Sequence, residues 1–134
     1  MVIAVVGIGL DGKQGLTQTV QQIIEQATVL AGSKRQLGYF TDHPAEKLNL
    51  ANLNTGIEAI AQLKLDHHVV VILTSGDPLF FGLGRLLLAK FKAEEIEFYP
   101  HLSSIQLAFN RLKIPWQDAN LISVHGRSVD KLIE

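Results

Sequence analysis

The sequence contains no cysteine among its 134 residues. It therefore has no disulfide, no thiolate nucleophile and no thiolate ligand for a metal ion. An excess of either charge is also missing, since 12 Lys and Arg stand against 13 Asp and Glu. A net charge of −1 argues against the broad positive field that duplex nucleic acid or an anionic membrane attracts. We expect neither as a partner.

Long apolar runs are missing as well. The two longest, residues 1–6 and 69–73, are far shorter than the ~20 residues of a membrane-spanning helix. No basic region precedes the first run, as it would in a secretory signal peptide. These absences lead us to expect a cytoplasmic protein without a membrane partner.

Apolar residues are nevertheless plentiful, at 47% of the chain. Against a prior of about 150 residues per domain, the length predicts one compact domain with a real core. The chain stops within a helical pattern, at Val129, Leu132 and Ile133. That ending predicts either a terminal helix or a chain that stops near a domain boundary.

Short β-branched runs alternate with longer stretches of helical spacing. This alternation predicts an α/β fold with about five strands in a mainly parallel sheet flanked by helices. The predicted strands are residues 2–6, 28–31, 69–73, 95–99 and 121–124. Residues 40–54 have the weakest pattern and are predicted to form a loop. Caps are predicted before three helices, by Thr17 or Thr19, by Thr55 with Glu58, and by Ser103 with Gln106.

A glycine-rich segment, Gly7-Ile8-Gly9-Leu10-Asp11-Gly12, follows the first predicted strand. It matches GxGxxG, in which glycines let a pyrophosphate approach the backbone at a helix N-terminus. Residues 13–15 lengthen the loop before the helix, and basic residues replace the acidic residue expected after the second strand. Those basic groups suit a 2′-phosphate, so NADP is one alternative, and a plain glycine turn is another.

Two more loops follow predicted strands. The segment 74–82 contains Gly76-Asp77-Pro78, where Asp77 could hold a ligand or cap a helix. The segment 101–105 contains paired serines, which either cap the next helix or hold a polar ligand beside free helix N–H groups. Because parallel strands end at one edge, all three loops should open there. The five histidines are not spaced as metal ligands, so no metal site is predicted.

These motifs, in this order, resemble the tetrapyrrole methylase family of S-adenosylmethionine-dependent enzymes. The resemblance is carried by Val5-Val6-Gly7-Ile8-Gly9, by residues 75–82 and by residues 101–109. Further segments, 32–37, 115–119 and 123–127, resemble the branch that methylates precorrin-6Y in cobalamin biosynthesis. The common family loop reads Gly-Pro-Gly-Asp where this chain has Leu10-Asp11-Gly12.

The resemblance implies an enzyme that transfers a methyl group from S-adenosyl-L-methionine to a ring carbon of a precorrin. It implies eight cofactor-binding residues: Gly7, Gly9, Leu10, Gly76, Asp77, Phe80, Ser104 and Ile105. Candidates for binding substrate carboxylates are Lys34, Arg35 and Arg127. It names no catalytic residue.

The resemblance also implies a domain organisation. Residues 1–134 would form the N-terminal domain of a two-domain enzyme, whose C-terminal domain this chain does not include. The expected partners are a precorrin-type tetrapyrrole, a second copy in a homodimer, and a downstream decarboxylating methyltransferase domain or subunit. Two other functions stay open: an NADP-binding oxidoreductase domain and a non-catalytic α/β interaction module.

Overall fold

A computed structural model describes residues 2–80 and 82–123. The strands are β1 (Ile3–Ile8), β2 (Val29–Gly32), β3 (Glu46–Asn49), β4 (Val70–Ser75) and β5 (Ile96–Tyr99). The α-helices are α1 (Gln18–Glu25), α2 (Lys34–Leu37), α3 (Leu53–Leu65), α4 (Gly84–Lys90) and α5 (Ser104–Leu112). Short 3-10 helices span Gly12–Gly15, Gly38–Phe40 and Ala93–Glu95.

The five strands form one sheet in the order β3-β2-β4-β1-β5, and every pairing is parallel. In the central register, Val5 of β1 lies opposite Ile72 of β4 and Phe98 of β5. The predicted five-stranded parallel sheet flanked by helices is therefore confirmed.

Two predictions about individual strands are wrong. The predicted loop 40–54 contains β3, an edge strand of exposed and half-buried residues that lacks the apolar run of the inner strands. The predicted strand 121–124 is not formed over residues 121–123, and residue 124 lies outside the described residues. Ile122 is 47% exposed, so apolar composition in this segment does not reflect burial in the sheet.

Alternate residues of the inner strands support two cores, one on each face of the sheet. Ile3 and Val5 belong to the core that α3 and α4 complete. Val6 and Ile8 belong to the core that α1 and Phe40 complete. Burial on both faces explains why β1 and β4 read as continuous apolar runs.

The helix starts confirm one predicted cap and correct another. Thr17 Oγ1 accepts the backbone N–H of Val20 at 3.2 Å, as predicted for α1. The predicted box at Thr55 is wrong, because Asn52 caps α3 and Thr55 is the third helical residue.

The chain divides into two compact units, Met1–Ser104 and Ile105–Glu134. The first contains the complete sheet. In the second, the ring of Phe109 on α5 stacks on Trp116 with centroids 5.5 Å apart. Within the described residues, no helix is both long enough and apolar enough to span a membrane.

Candidate functional site

The loops that follow β1, β4 and β5 are joined directly by backbone hydrogen bonds. Gly76 N–H donates to Ile8 O at 3.1 Å, and His101 N–H donates to Gly76 O at 3.0 Å. Gly76 has a φ of 62°, which favours glycine. Moreover, β1 leads to α1 on one face and β4 leads to α4 on the other. Such divergence at the carboxyl ends of neighbouring strands is where open parallel sheets bind ligands.

Gly7 is required by the packing of these loops on one another. A Cβ at this position would lie 1.9 Å from Gly76 O and 2.8 Å from His101 N. The space in front of Gly7 is therefore filled by the neighbouring loops. Gly9 is crowded in the same way, since its Cβ would lie 2.5 Å from the His101 ring.

A hydrogen bond from His101 connects the loop after β5 to the loop after β1. Its Nδ1 accepts Leu102 N–H at 2.9 Å, and its Nε2 lies 3.1 Å from Gly15 O. Because Nδ1 accepts, the proton resides on Nε2 and is donated to Gly15 O. From its sequence context, His101 is expected in a binding loop but not in this role. The sequence feature that could have indicated this role is its position two residues after β5, at the sheet edge where the glycine-rich loop also lies.

Asp77 is half-buried and shapes its own loop. Its Oδ1 accepts Leu79 N–H at 2.9 Å, and Phe80 N–H donates to its backbone carbonyl at 3.1 Å. The alternative that Asp77 caps a helix is wrong, because α4 begins seven residues later, at Gly84. Its Oδ2 takes no hydrogen bond from another described residue and can accept one from a ligand.

Each of the three loops also exposes a leucine. Leu10 is 61% exposed, Leu79 is 55% exposed and Leu102 is 52% exposed. Phe80, beside Leu79, is half-buried. Apolar side chains beside a carboxylate suit a ligand that combines a flat ring with hydroxyl or ammonium groups, as an adenosyl amino acid does.

The remaining predicted site residues lie as follows. Ser104 is the exposed first residue of α5, and Ile105 is half-buried in the second unit. Lys34 and Arg35 are exposed on α2, directly beyond β2 at the same edge of the sheet as the three loops. Neither forms an ion pair with another described residue. Arg127 lies outside the described residues.

One tyrosine at the end of β5 is hydrogen-bonded to a neighbouring carboxylate. The pKa of Tyr99 is raised, first by its 2.6 Å hydrogen bond to Glu97 Oε2, then by burial and the charge of Glu97. Residues 2–80 and 82–123 contain no group of three or more His, Asp or Glu side chains that could hold a metal ion.

A pocket of about 510 Å³ lies beside α1. Its floor includes Leu16, Ile24 and Phe40, and its rim includes Lys13 and Asp42. None of the predicted cofactor-binding residues lines it. Its lining therefore does not coincide with the predicted cofactor residues, although Lys13, Gln14 and Leu16 belong to the loop after β1.

The dinucleotide fingerprint is not reproduced in three dimensions. After the glycine motif the chain forms the 3-10 helix Gly12–Gly15, and α1 begins only at Gln18. Gly12, with a φ of 59°, lies against the ring of Tyr39. The last glycine of the motif opens only this single 3-10 turn, so no α-helix begins within the motif to receive a pyrophosphate.

Two curated proteins align in sequence with nearly the whole of this chain. Two relatives are 36% and 38% identical: the probable cobalt-precorrin-7 C(5)-methyltransferase of Methanocaldococcus jannaschii and the decarboxylating precorrin-6Y C(5,15)-methyltransferase of a Sinorhizobium species. Each alignment covers 96% of this chain. The chain spans 63% of the first relative's length and 31% of the second's.

Solved structures show the same fold. The precorrin-6Y methylase of Archaeoglobus fulgidus superposes with a TM-score of 0.70 at 27% identity, over 97% of this chain and 67% of that one. The uroporphyrin-III C-methyl transferase of Thermus thermophilus, complexed with S-adenyl homocysteine, has a TM-score of 0.65 at 22% identity, over 81% and 48%. The family Tetrapyrrole (Corrin/Porphyrin) Methylases matches residues 2–133, and the chain belongs to that family.

Proposed function

We propose that this chain supplies the cofactor-facing part of an S-adenosylmethionine-dependent methyltransferase that acts on a precorrin in cobalamin biosynthesis. The observation that carries the proposal is the meeting of three loops at one sheet edge, where they present Asp77 and three exposed leucines. The names of the two relatives supply the substrate class and the ring carbon, C5.

The residues at the edge fit the cofactor. Leu10 and Phe80 offer apolar contact to the adenine ring, and Asp77 offers a carboxylate to ribose hydroxyls or to the ammonium group. Gly7, Gly9 and Gly76 keep the three loops close enough to form one surface. Ser104 and Ile105 belong to the proposal from the sequence resemblance alone.

The cofactor supplies a methyl group already activated on a sulfonium. The protein therefore needs to hold and orient two reactants and needs no nucleophile of its own. Precorrins carry many carboxylates, and the exposed cations of Lys34 and Arg35 are suited to pair with them. Arg127 belongs to the same proposal from its sequence alone.

The wider assembly is part of the proposal. The longer relative is named as decarboxylating, and this chain aligns with less than a third of it. We expect methylation at C5 to require a second domain, and decarboxylation to belong to a further domain or subunit. A homodimer and a cytoplasmic location remain expectations. Neither the NADP-binding oxidoreductase nor the non-catalytic module is favoured by the family membership or by the geometry after β1.

Calorimetric titration of the full-length protein with S-adenosylhomocysteine tests the cofactor site. Asp77→Asn keeps an oxygen for the Leu79 N–H but removes the charge. We expect it to weaken binding about tenfold or more, because hydrogen bonds to charged groups are worth about 1.5–3 kcal/mol. Asp66→Asn, at the end of α3, is the matched control and should bind as the wild type does.

Urea unfolding of the same variants separates binding from folding. Unchanged affinity with lower stability in Asp77→Asn would show that the carboxylate serves only its own turn. Wild-type protein that fails to bind S-adenosylhomocysteine would overturn the proposed function. For the substrate, transfer of a labelled methyl group to a precorrin should depend on the protein and be reduced when Lys34 and Arg35 are replaced by glutamine.

A further inference from the structure

Gln36 is the one buried polar side chain among the described residues, with 8% of its surface exposed. It lies on α2, one turn after the carboxyl end of β2. A buried amide is costly unless its hydrogen bonds are made. The partners of Gln36 therefore indicate what its burial achieves.

The amide of Gln36 links two loops at the carboxyl edge. Its Oε1 accepts the hydroxyl proton of Ser33, and its Nε2 donates to Ser75 Oγ at 2.8 Å. Ser33 is the cap of α2, and Ser75 is the last residue of β4. A hydrogen-bond chain thus runs from Ser33 through Gln36 to Ser75.

The donor and acceptor in each of these hydrogen bonds follow from the role of Ser33 as the cap of α2. Ser33 Oγ already accepts the backbone N–H of Gln36, so its own proton is available to the amide oxygen. The amide N–H is then left to face Ser75. Because Ser75 Oγ accepts from Gln36, its hydroxyl proton must point elsewhere.

Ser75 is exposed and immediately precedes Gly76 and Asp77. Among the described residues, no acceptor takes its hydroxyl proton. Its neighbours along the chain are those that the proposed function assigns to the cofactor. The hydroxyl is therefore an oriented donor at the edge of the cofactor site.

We propose that Ser75 donates a hydrogen bond to an oxygen or nitrogen of the bound S-adenosyl ligand, and that Gln36 is the positioning residue that directs this hydroxyl. The inference rests on the proposed function of the site. It adds a residue 39 positions upstream of Ser75, in a segment that the cofactor motifs do not include.

Two substitutions test the direction of the hydrogen bond. Ser75→Ala removes the donor. Gln36→Glu keeps the acceptor for Ser33 but replaces the Nε2 donor by a carboxylate oxygen, which takes the Ser75 proton for itself. By calorimetry at pH 8 with S-adenosylhomocysteine, each should weaken binding by the fold-change of one hydrogen bond, about three- to tenfold.

The double variant separates positioning from a structural role. Once Ser75 is alanine, Gln36→Glu should cause no further loss of affinity. Gln62→Glu, on the exposed surface of α3, controls for the added charge and should bind as the wild type does. If Gln36→Glu does not fold, Gln36→Met removes both hydrogen bonds without a charge and is tested in the same cycle.

The outcomes are distinguishable. Wild-type binding that is unchanged in Ser75→Ala overturns this inference and leaves the proposed function standing. Losses that simply add in the double variant also overturn it, because Gln36 would then act independently of the hydroxyl. No binding by the wild type overturns the proposed function, and the inference with it.

Discussion

Replacing Gly7 by alanine should destabilise the fold more than the same exchange at any other glycine within residues 2–123. The added Cβ would lie 1.9 Å from Gly76 O, a distance that carbon and oxygen do not approach without bonding. The obstructing atoms are backbone, so no side chain can rotate away. The loops after β1 and β4 must separate to admit the methyl group.

The cost follows from the contacts that separation breaks. Gly76 N–H to Ile8 O and His101 N–H to Gly76 O are two backbone hydrogen bonds that join the loops here, and each is worth about 1 kcal/mol. Forcing an extra methyl group into a packed site adds about 1–3 kcal/mol. The total is about 3–5 kcal/mol, a large share of the 5–15 kcal/mol by which a domain is typically stable.

Urea unfolding followed by circular dichroism measures this loss as a lower midpoint with an unchanged slope. Gly38→Ala is the matched control, because nothing lies within 4 Å of its added Cβ and its φ of −61° suits alanine. That variant should be more stable than the wild type by about 0.4–1 kcal/mol.

The result that refutes this reasoning is a Gly7→Ala variant within 1 kcal/mol of the wild type. It would mean that the two loops are not packed as closely as the structure shows. A loss of the same size in Gly38→Ala would show instead that alanine is poorly tolerated at both glycines for reasons unrelated to loop contact.

Two further predictions concern the buried core and Tyr99 on β5, the edge strand beside β1. Ile60→Ala on α3, a fully buried residue, should cost about 2–5 kcal/mol in urea unfolding, whereas Ile23→Ala on the half-buried side of α1 should cost clearly less. The raised pKa of Tyr99 means that the folded state holds the phenolic proton more tightly than the unfolded state. Stability from this group is therefore present below pH 10, the ordinary value, and is lost as the pH rises above it. Glu97→Gln should diminish that loss, and an unchanged pH profile between pH 9 and 11 would contradict the assigned cause.

The inner strands could be predicted because burial on both faces leaves a continuous apolar run. β1 and β4 carry that pattern and lie at the centre of the sheet. β3 could not be predicted in the same way, because at the edge Glu46 and Asn49 remain exposed. Its stability comes from pairing with β2, a partner that local periodicity does not reveal.

For the candidate site, the sequence predicts which loops lie together but not the contacts between them. Three motifs after three strands of a parallel sheet must reach one edge, and the structure brings those loops together. The contacts that organise them could not be predicted, since His101 meets Gly15 across 86 residues and Gln36 meets Ser75 across 39. Such pairs are fixed by tertiary packing, which leaves no local pattern.

These contacts change the interpretation of Gly7, near the end of β1, and of Gly9, just after it. A glycine in a GxG segment is usually taken to admit a ligand to the backbone. Here the space at Gly7 is filled by Gly76 and His101, so the glycine admits another loop. A ligand at this edge would instead meet side chains such as Asp77. Substituting Gly7 would therefore disturb fold and binding together, whereas the change of one charge at Asp77 isolates the interaction with the ligand.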